Sequence, residues 1–265
     1  MLMVQLSPCV ISRREEDIVD SGRVRSGILS RSLDILSAFG PGDVTLPPAE
    51  LARRAGLSKA TGHRIVQEMV SLGVLERSTA GVRIGMRMFE IGQLFPLHSP
   101  LRAAALPFLS DLADTTGGAL HLAVLDGEEV VYLEIVQPIK GLSSRPGGRL
   151  PAISTAAGWA ILAFSPEPVI AQVLQRAGVP GRVRNRPPTR DQLAQVRALR
   201  YAEDPEGDRG PVVAVAVPVL NLEGYAVAAL SLLYPAGAPQ LYRFVPALQV
   251  AAKGLGRALA RPRED

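Results

Sequence analysis

One cysteine, Cys9, and three histidines, His63, His98 and His121, are all that this 265-residue chain offers to a soft metal or a disulfide. A single thiol excludes an intramolecular disulfide, and scattered histidines with no second cysteine give no zinc-ligand spacing. Neither a metal nor a cofactor is expected. Net charge is only +4 at pH 7, too mild to mark a nucleic-acid partner by bulk electrostatics. The apolar stretch from Pro211 to Tyr234 is interrupted by Pro218 and by Asn221-Leu-Glu-Gly224, so it reads as a buried hairpin rather than a membrane span. Residues 1–11 are partly apolar, but no basic segment precedes them and Gln5, Ser7 and Pro8 break them up, which argues against an export signal. A cytoplasmic location is the resulting expectation. Catalytic machinery is missing as well: Arg145-Pro-Gly-Gly-Arg149 has neither the spacing nor the lysine of a phosphate loop, and no Ser/His/Asp or Cys/His set can be assembled. An enzyme is therefore a remote alternative.

With 47% hydrophobic residues the chain can bury a proper core, and its 22 prolines and 25 glycines divide it into many elements. Its length has room for two domains. The basic character is local: residues 44–90 hold seven Arg or Lys against four Glu, a net +3.

That segment also has the most structured pattern. A helix from about Pro48 to Ala55 places Leu51 and Ala55 on one face and Glu50, Arg53 and Arg54 towards water, and Gly56 ends it. Leu57 plugs the core, and Ser58 N-caps a second helix reaching about Leu72. Ile65, Met69 and Leu72 form the expected buried stripe, with Gly62 beside it for close helix packing. The opposite face carries Lys59, Ala60, His63, Arg64, Gln67 and Ser71. Val74–Arg77 and Val82–Ile84 then bracket Ser78-Thr79-Ala80-Gly81 as a hairpin, with Arg77, Arg83 and Arg87 near phosphates. Helix, turn, helix, hairpin is the order of a winged helix-turn-helix, whose second helix enters the major groove of double-stranded DNA. The expected DNA-contacting set is Ser58, Lys59, Ala60, Thr61, His63, Arg64, Gln67, Arg77 and Arg83. In it Arg and Lys suit guanine, Gln suits adenine, and small residues accept a thymine methyl.

Residues 1–25 read as a disordered charged tail. Ser26–Phe39 reads as a helix offering Ile28, Leu33, Ile35, Leu36 and Phe39 to the core. Ser99 and Pro100 open a helix to about Thr115, with Leu101, Ala105, Phe108 and Leu112 on one side. Ala119–Leu125 and Glu128–Val136 flank Asp126-Gly127, a strong hairpin signal. A glycine-rich loop leads to a helix through Phe164, followed by helices near Val169–Ala177 and Arg190–Arg200. Strands at Val212–Val219 and Tyr225–Leu233 and a last helix from Tyr242 to Leu259 complete the chain. Strands and helices segregate, which favours an α+β domain with a mostly antiparallel sheet. The arginines at 182, 184, 186 and 190 surround Pro187-Pro188 and read as a solvated loop rather than a second DNA contact.

From about Gly27 to Leu259 the sequence resembles the IclR family of transcriptional regulators. The residues that carry the resemblance are Leu51-Ala-Arg-Arg-Ala-Gly-Leu-Ser-Lys-Ala-Thr-Gly-His-Arg64, His121-Leu-Ala-Val-Leu-Asp-Gly-Glu-Glu-Val-Val-Tyr-Leu133, Leu150-Pro151 with Thr155-Ala-Ala-Gly158, Arg200-Tyr201, Pro218-Val219 and Ala228-Ala-Leu-Ser231. The resemblance implies a winged helix-turn-helix (26–92), a linker helix (93–117) and a GAF-like effector-binding domain (118–260). It also implies homodimers or dimers of dimers, and a small organic acid or aromatic metabolite as effector. By position, Thr155, Ala156, Ala157, Asp204, Ala214, Ser231 and Leu233 fall where the family lines its pocket. The start of the helix after Thr155 would suit a carboxylate.

Several positions depart from the family pattern. Ala214 stands where a cysteine or serine is common, Leu233 replaces a small polar residue, and Trp159 replaces a basic one. Near Glu206-Gly207 a glutamate pair is reduced to one, and Pro211 replaces a glycine. These changes predict a less polar pocket and an effector more apolar than a two- or three-carbon acid. The alternative is a regulator whose sensor no longer binds ligand and serves as an oligomerisation platform. Trp159 either stacks on an aromatic ligand or packs against the sheet.

Overall fold

The structure is a computed structural model that describes residues 27–40, 42–94, 98–139, 144–177, 187–204, 212–237 and 241–260. The tail at 1–25, the arginines at 182–186, and Glu206, Gly207 and Pro211 lie outside these residues. The described residues divide between 94 and 98 into two compact units.

The first unit runs α1 (Ile28–Ser37), α2 (Pro48–Arg54), α3 (Lys59–Ser71), β1 (Leu75–Ser78), β2 (Gly81–Ile84) and α4 (Met86–Gln93). Its core gathers Ile35, Leu46, Leu51, Ile65, Val66, Met69, Leu75 and Val82. Two expectations are corrected. Leu72 is the C-cap of α3 and 52% exposed, and Val66, one residue after Ile65, takes its place in the stripe. Of the α1 residues, Ile35 alone is fully buried; Leu36 and Phe39 pack partly, and Ile28 and Leu33 face solvent. Leu46 and Val82 exchange both backbone hydrogen bonds at 2.9 Å, adding a third short segment to the β1–β2 hairpin. Asp43 accepts from the Gly40 N–H (2.7 Å) and from Arg54 (2.6 Å), which ties the α1–α2 connection to the end of α2.

The second unit contains α5 (His98–Thr116), β3 (Ala119–Asp126), β4 (Glu129–Val136), β5 (Arg149–Pro151), α6 (Ala156–Ala163), α7 (Glu167–Ala177), α8 (Arg190–Leu199), β6 (Ala202–Glu203), β7 (Val212–Leu220), β8 (Ala226–Pro235) and α9 (Val245–Ala260). The six strands form one antiparallel sheet in the order β5-β4-β3-β8-β7-β6. The edge strands β5 and β6 are three and two residues long, too short to leave a periodic signal. The β3–β4 turn residues are Gly127 and Glu128, since Asp126 pairs with Glu129. Gly127 at φ 62° supplies the left-handed first turn position, one residue later than the Asp-Gly reading implies. Pro218 is tolerated inside β7 because β6 pairs only as far as Val215 and Ala216.

Each sheet face carries its own core. On one side α5 and α9 cover Leu120, Leu122, Val215, Val217, Leu230 and Leu232. On the other, α6, α7 and α8 cover Ala119, Ala123, Ala214, Ala216, Ala229 and Leu233. The linker segment α5 is thus one wall of this unit, burying Leu101, Ala105, Leu109, Leu112 and Ala113. Among the described residues no helix is long and apolar enough to cross a membrane.

Gly62 on α3 tests the packing of the first unit. A Cβ built there would lie 2.3 Å from the Ala52 Cβ of α2. Gly62→Ala should therefore force the two helices apart and cost about 1–3 kcal/mol, read as an earlier denaturant midpoint for the N-terminal unit.

Candidate nucleic-acid interface and effector face

The helix α3 begins where Ser58 accepts the Thr61 N–H at 3.2 Å and donates its own hydroxyl to Thr61 Oγ1 at 2.9 Å. Two residues of the expected DNA-contacting set, Ser58 and Thr61, are therefore already engaged in capping at the helix start. Lys59, Ala60, His63 and Arg64 are exposed together, and Gln67 is half-buried one turn on. Arg64 lies 3.8 Å from Glu68, an exposed i,i+4 pair of little energetic weight.

The hairpin arginines hold partners within the protein. Arg77 donates to the Gln67 side-chain oxygen, Arg83 pairs with Glu76 at 2.9 Å, and Arg87 donates to the Leu72 carbonyl at 2.7 Å. Glu76 also accepts the Met86 N–H, and these bonds hold its carboxyl below the usual range. Arg77 and Arg87 meet neutral acceptors and keep their full charge outward; Arg83 is offset by a carboxylate. Of the arginines around Pro187-Pro188, Arg190 is described, and it pairs with Glu167.

In the second unit the expected effector residues fall on the α6 side of the sheet. Ala214 pairs directly with Leu233, and Ser231 sits between His121 on β3 and Ala216 on β7. Asp204, just past β6, donates its backbone N–H to the Ala214 carbonyl at 2.9 Å. Thr155 is the N-cap of α6 and accepts the Gly158 N–H at 2.9 Å, while Ala156 and Ala157 are buried in the core. A Cβ on Gly158 would fall 1.9 Å from the Ala152 carbonyl oxygen, so only glycine lets α6 start this close to the preceding turn. Trp159 packs against the core with its indole N–H donated to the Ile153 carbonyl at 2.8 Å.

Two residues of this face escaped the sequence reading. His121 is 1% exposed, and neither ring nitrogen has a hydrogen-bond partner among the described residues. Its ring meets Tyr132 edge-on at 5.0 Å and 75°. Burial pushes His121 down to about 4 and, with the nearby Asp204 charge, pushes the Tyr132 phenol up to about 12. Both are therefore neutral near pH 7. The available signal was strand alternation: His121 shares the parity of Ala119 and Ala123, which face α6. Among the described residues no group of three His, Cys, Asp or Glu could hold a metal.

A winged helix-turn-helix with a polar recognition face, followed by an α+β domain with buried polar groups on one sheet face, defines a DNA-binding regulator with a separate C-terminal domain. Residues 28–79 match the IclR helix-turn-helix domain and residues 94–253 the bacterial transcriptional regulator IclR C-terminal domain. The HTH-type transcriptional regulator XynR of Escherichia coli (strain K12) is 32% identical over 245 residues, spanning 88% of this chain and 97% of that protein. The Pca regulon regulatory protein of Pseudomonas putida is 26% identical, spanning 86% of this chain and 82% of its own. Among solved structures, an IclR homolog from Microbacterium hydrocarbonoxydans complexed with 4-hydroxybenzoate matches with a TM-score of 0.74 at 32% identity, covering 88% of this chain and 99% of that one. The chain belongs to the IclR family: it is a DNA-binding transcriptional regulator, and its relatives are regulators rather than enzymes.

The buried imidazole has a measurable consequence. An unfolded histidine titrates near 6.5, whereas the native His121 refuses its proton until about pH 4. Between those values the unfolded chain binds more protons, so stability falls as pH drops from 6.5 and is unaffected above it. The full loss is about 3 kcal/mol. Urea unfolding at pH 7, 5.5 and 4.5 should show this decline in the parent protein and a flatter curve in His121→Leu; equal slopes would remove His121 from the acid response.

Proposed function

We propose that this regulator reads its operator through the N-terminal half of α3 and that its operator binding is controlled by a carboxylated, largely apolar effector, an aromatic acid, bound on the α6 face of the sheet. The DNA-contacting residues are Ser58, Lys59, Ala60, Thr61, His63, Arg64 and Gln67, with Arg77 and Arg83 towards phosphates. The observation that carries the operator reading is the solvent-facing cluster of Lys59, Ala60, His63 and Arg64, which takes no part in the core of its unit.

The effector reading rests on the chemistry of one sheet face. Ala214 and Leu233 give it an apolar floor, and Ser231, Asp204 and Tyr132 add polar groups. The start of α6 at Thr155, Ala156 and Ala157 presents N–H groups and the positive end of the helix dipole, which suit a carboxylate. The 4-hydroxybenzoate complex of the Microbacterium homolog supports an aromatic acid over a two- or three-carbon acid. The working form is a homodimer or dimer of dimers, since two winged helices span two half-sites of an operator. An effector that favours one arrangement of the protomers shifts the half-site spacing they fit, and with it the affinity for DNA.

Arg64→Ala should weaken operator binding by about 1–3 kcal/mol if its guanidinium makes a bidentate base contact. A gel-shift titration with the upstream DNA of the protein's own locus reads this, and unchanged affinity takes Arg64 off the reading face. A thermal-shift screen tests the effector: binding raises the unfolding temperature through RT ln(1 + [L]/Kd). Silence across aromatic and aliphatic acids would assign the C-terminal domain to oligomerisation alone.

A further inference from the structure

His121 stands at the centre of the sheet, on β3 between β4 and β8. Along its own strand and towards β8 the neighbours on the same face are small, Ala119, Ala123, Ala229 and the directly opposite Ser231, while on β4 Ile135 stands opposite and Tyr132 lies beside it. Three other buried polar side chains of this unit hold visible partners. Thr116 accepts the Gly118 N–H, Thr155 the Gly158 N–H, and Glu134 pairs with Arg102. The two nitrogens of His121 are instead buried without a hydrogen-bond partner among the described residues. Leaving them so is costly, and a leucine of similar volume would fill the position without the loss. A polar group kept at that cost in the middle of an alanine-lined face points to a ligand that completes it.

We propose that His121 is the specificity-determining residue of the effector site, its imidazole hydrogen-bonding an uncharged hydroxyl on the effector, so that the protein selects hydroxylated aromatic acids over their unsubstituted counterparts. The inference rests on the effector reading given above and names the group that the site recognises. The chemistry follows from the neutral imidazole, which carries one donor and one acceptor. A hydroxyl is both, so it matches whichever nitrogen faces it. A carboxylate only accepts and would draw a proton onto the ring, where burial opposes charge. An ammonium only donates and brings a charge of its own. Tyr132 beside the imidazole and the alanines along the face are the apolar neighbours that a ring bearing the hydroxyl would meet. A hydroxyl bound this way removes the desolvation penalty that a bare ring would leave in place, which is how a site discriminates against the analogue lacking the group.

Calorimetry on the full-length protein with 4-hydroxybenzoate and benzoate as probes tests this. The parent protein should bind 4-hydroxybenzoate at least tenfold more tightly than benzoate. In His121→Leu the preference should vanish through weaker 4-hydroxybenzoate binding, with benzoate affinity held within about threefold. His121→Asn, which keeps a donor and an acceptor, should restore part of the preference and serves as the second variant should the leucine protein fail to fold. Retention of the full preference in both variants overturns the proposal. Equal affinity of the parent for both acids overturns it too, while leaving the aromatic-acid site standing. Failure of the parent to bind either acid removes the aromatic-acid reading and this inference together.

Discussion

The two faces of one antiparallel sheet differ in side-chain size, and the second unit is arranged around that difference. Along β7 the residues alternate Val213, Val215, Val217 and Val219 on one side with Ala214 and Ala216 on the other. Along β8, Leu230 and Leu232 face one way and Ala229, Ser231 and Leu233 the other. α9 packs on branched side chains, whereas α6 packs on alanines. The glycine at 158 continues the same logic at the helix start, where any side chain would collide with the Ala152 carbonyl. The small-residue face is also the one that accommodates His121, because a ring in a row of valines would be crowded out.

The first unit solves a smaller version of the same packing problem. Gly62 against Ala52 brings α3 onto α2, and Ile65, Val66 and Met69 then anchor α3 from below. With its inner side fixed in this way, the residues from Lys59 to Arg64 that face outward are free to differ without disturbing the core. On the proposed operator reading, stability and recognition reside on opposite sides of one helix, a separation that would let a shared fold serve regulators with different operators.

Much of this was legible in the sequence because the signals were local. The Ser58 cap, the Gly62 contact, the β3–β4 hairpin and the split of the 211–234 run each depend on a few neighbouring residues. What escaped depended on distant ones. Leu72 looks buried by helical angle alone, but α3 ends at Ser71 and leaves it at the solvent-facing cap. The strands β5 and β6 exist only because β4 and β7 offer them edges. His121 sits in a run, Leu120-His-Leu-Ala-Val124, that is buried on both faces, so strand parity assigns it to the Ala119 and Ala123 face without marking it as part of a site. Its significance appears only when the missing partners of its nitrogens are known, and that is a property of the folded neighbourhood.

The hairpin adds a constraint on how α3 can read bases. A glutamine recognises adenine by accepting from its amino group while donating to its ring nitrogen, so both ends of the amide are needed. In this structure the Gln67 oxygen accepts from Arg77. The oxygen keeps a second lone pair, so the bond orients the amide without removing its acceptor. The guanidinium has five N–H donors, so Arg77 can hold Gln67 with one and meet a DNA phosphate with the others. Phosphate contact by Arg77 and an oriented amide on Gln67 are therefore compatible. On the proposed operator reading, the base preference at this position is set jointly by the helix and the hairpin, and a substitution at Arg77 is expected to change sequence preference as well as overall affinity.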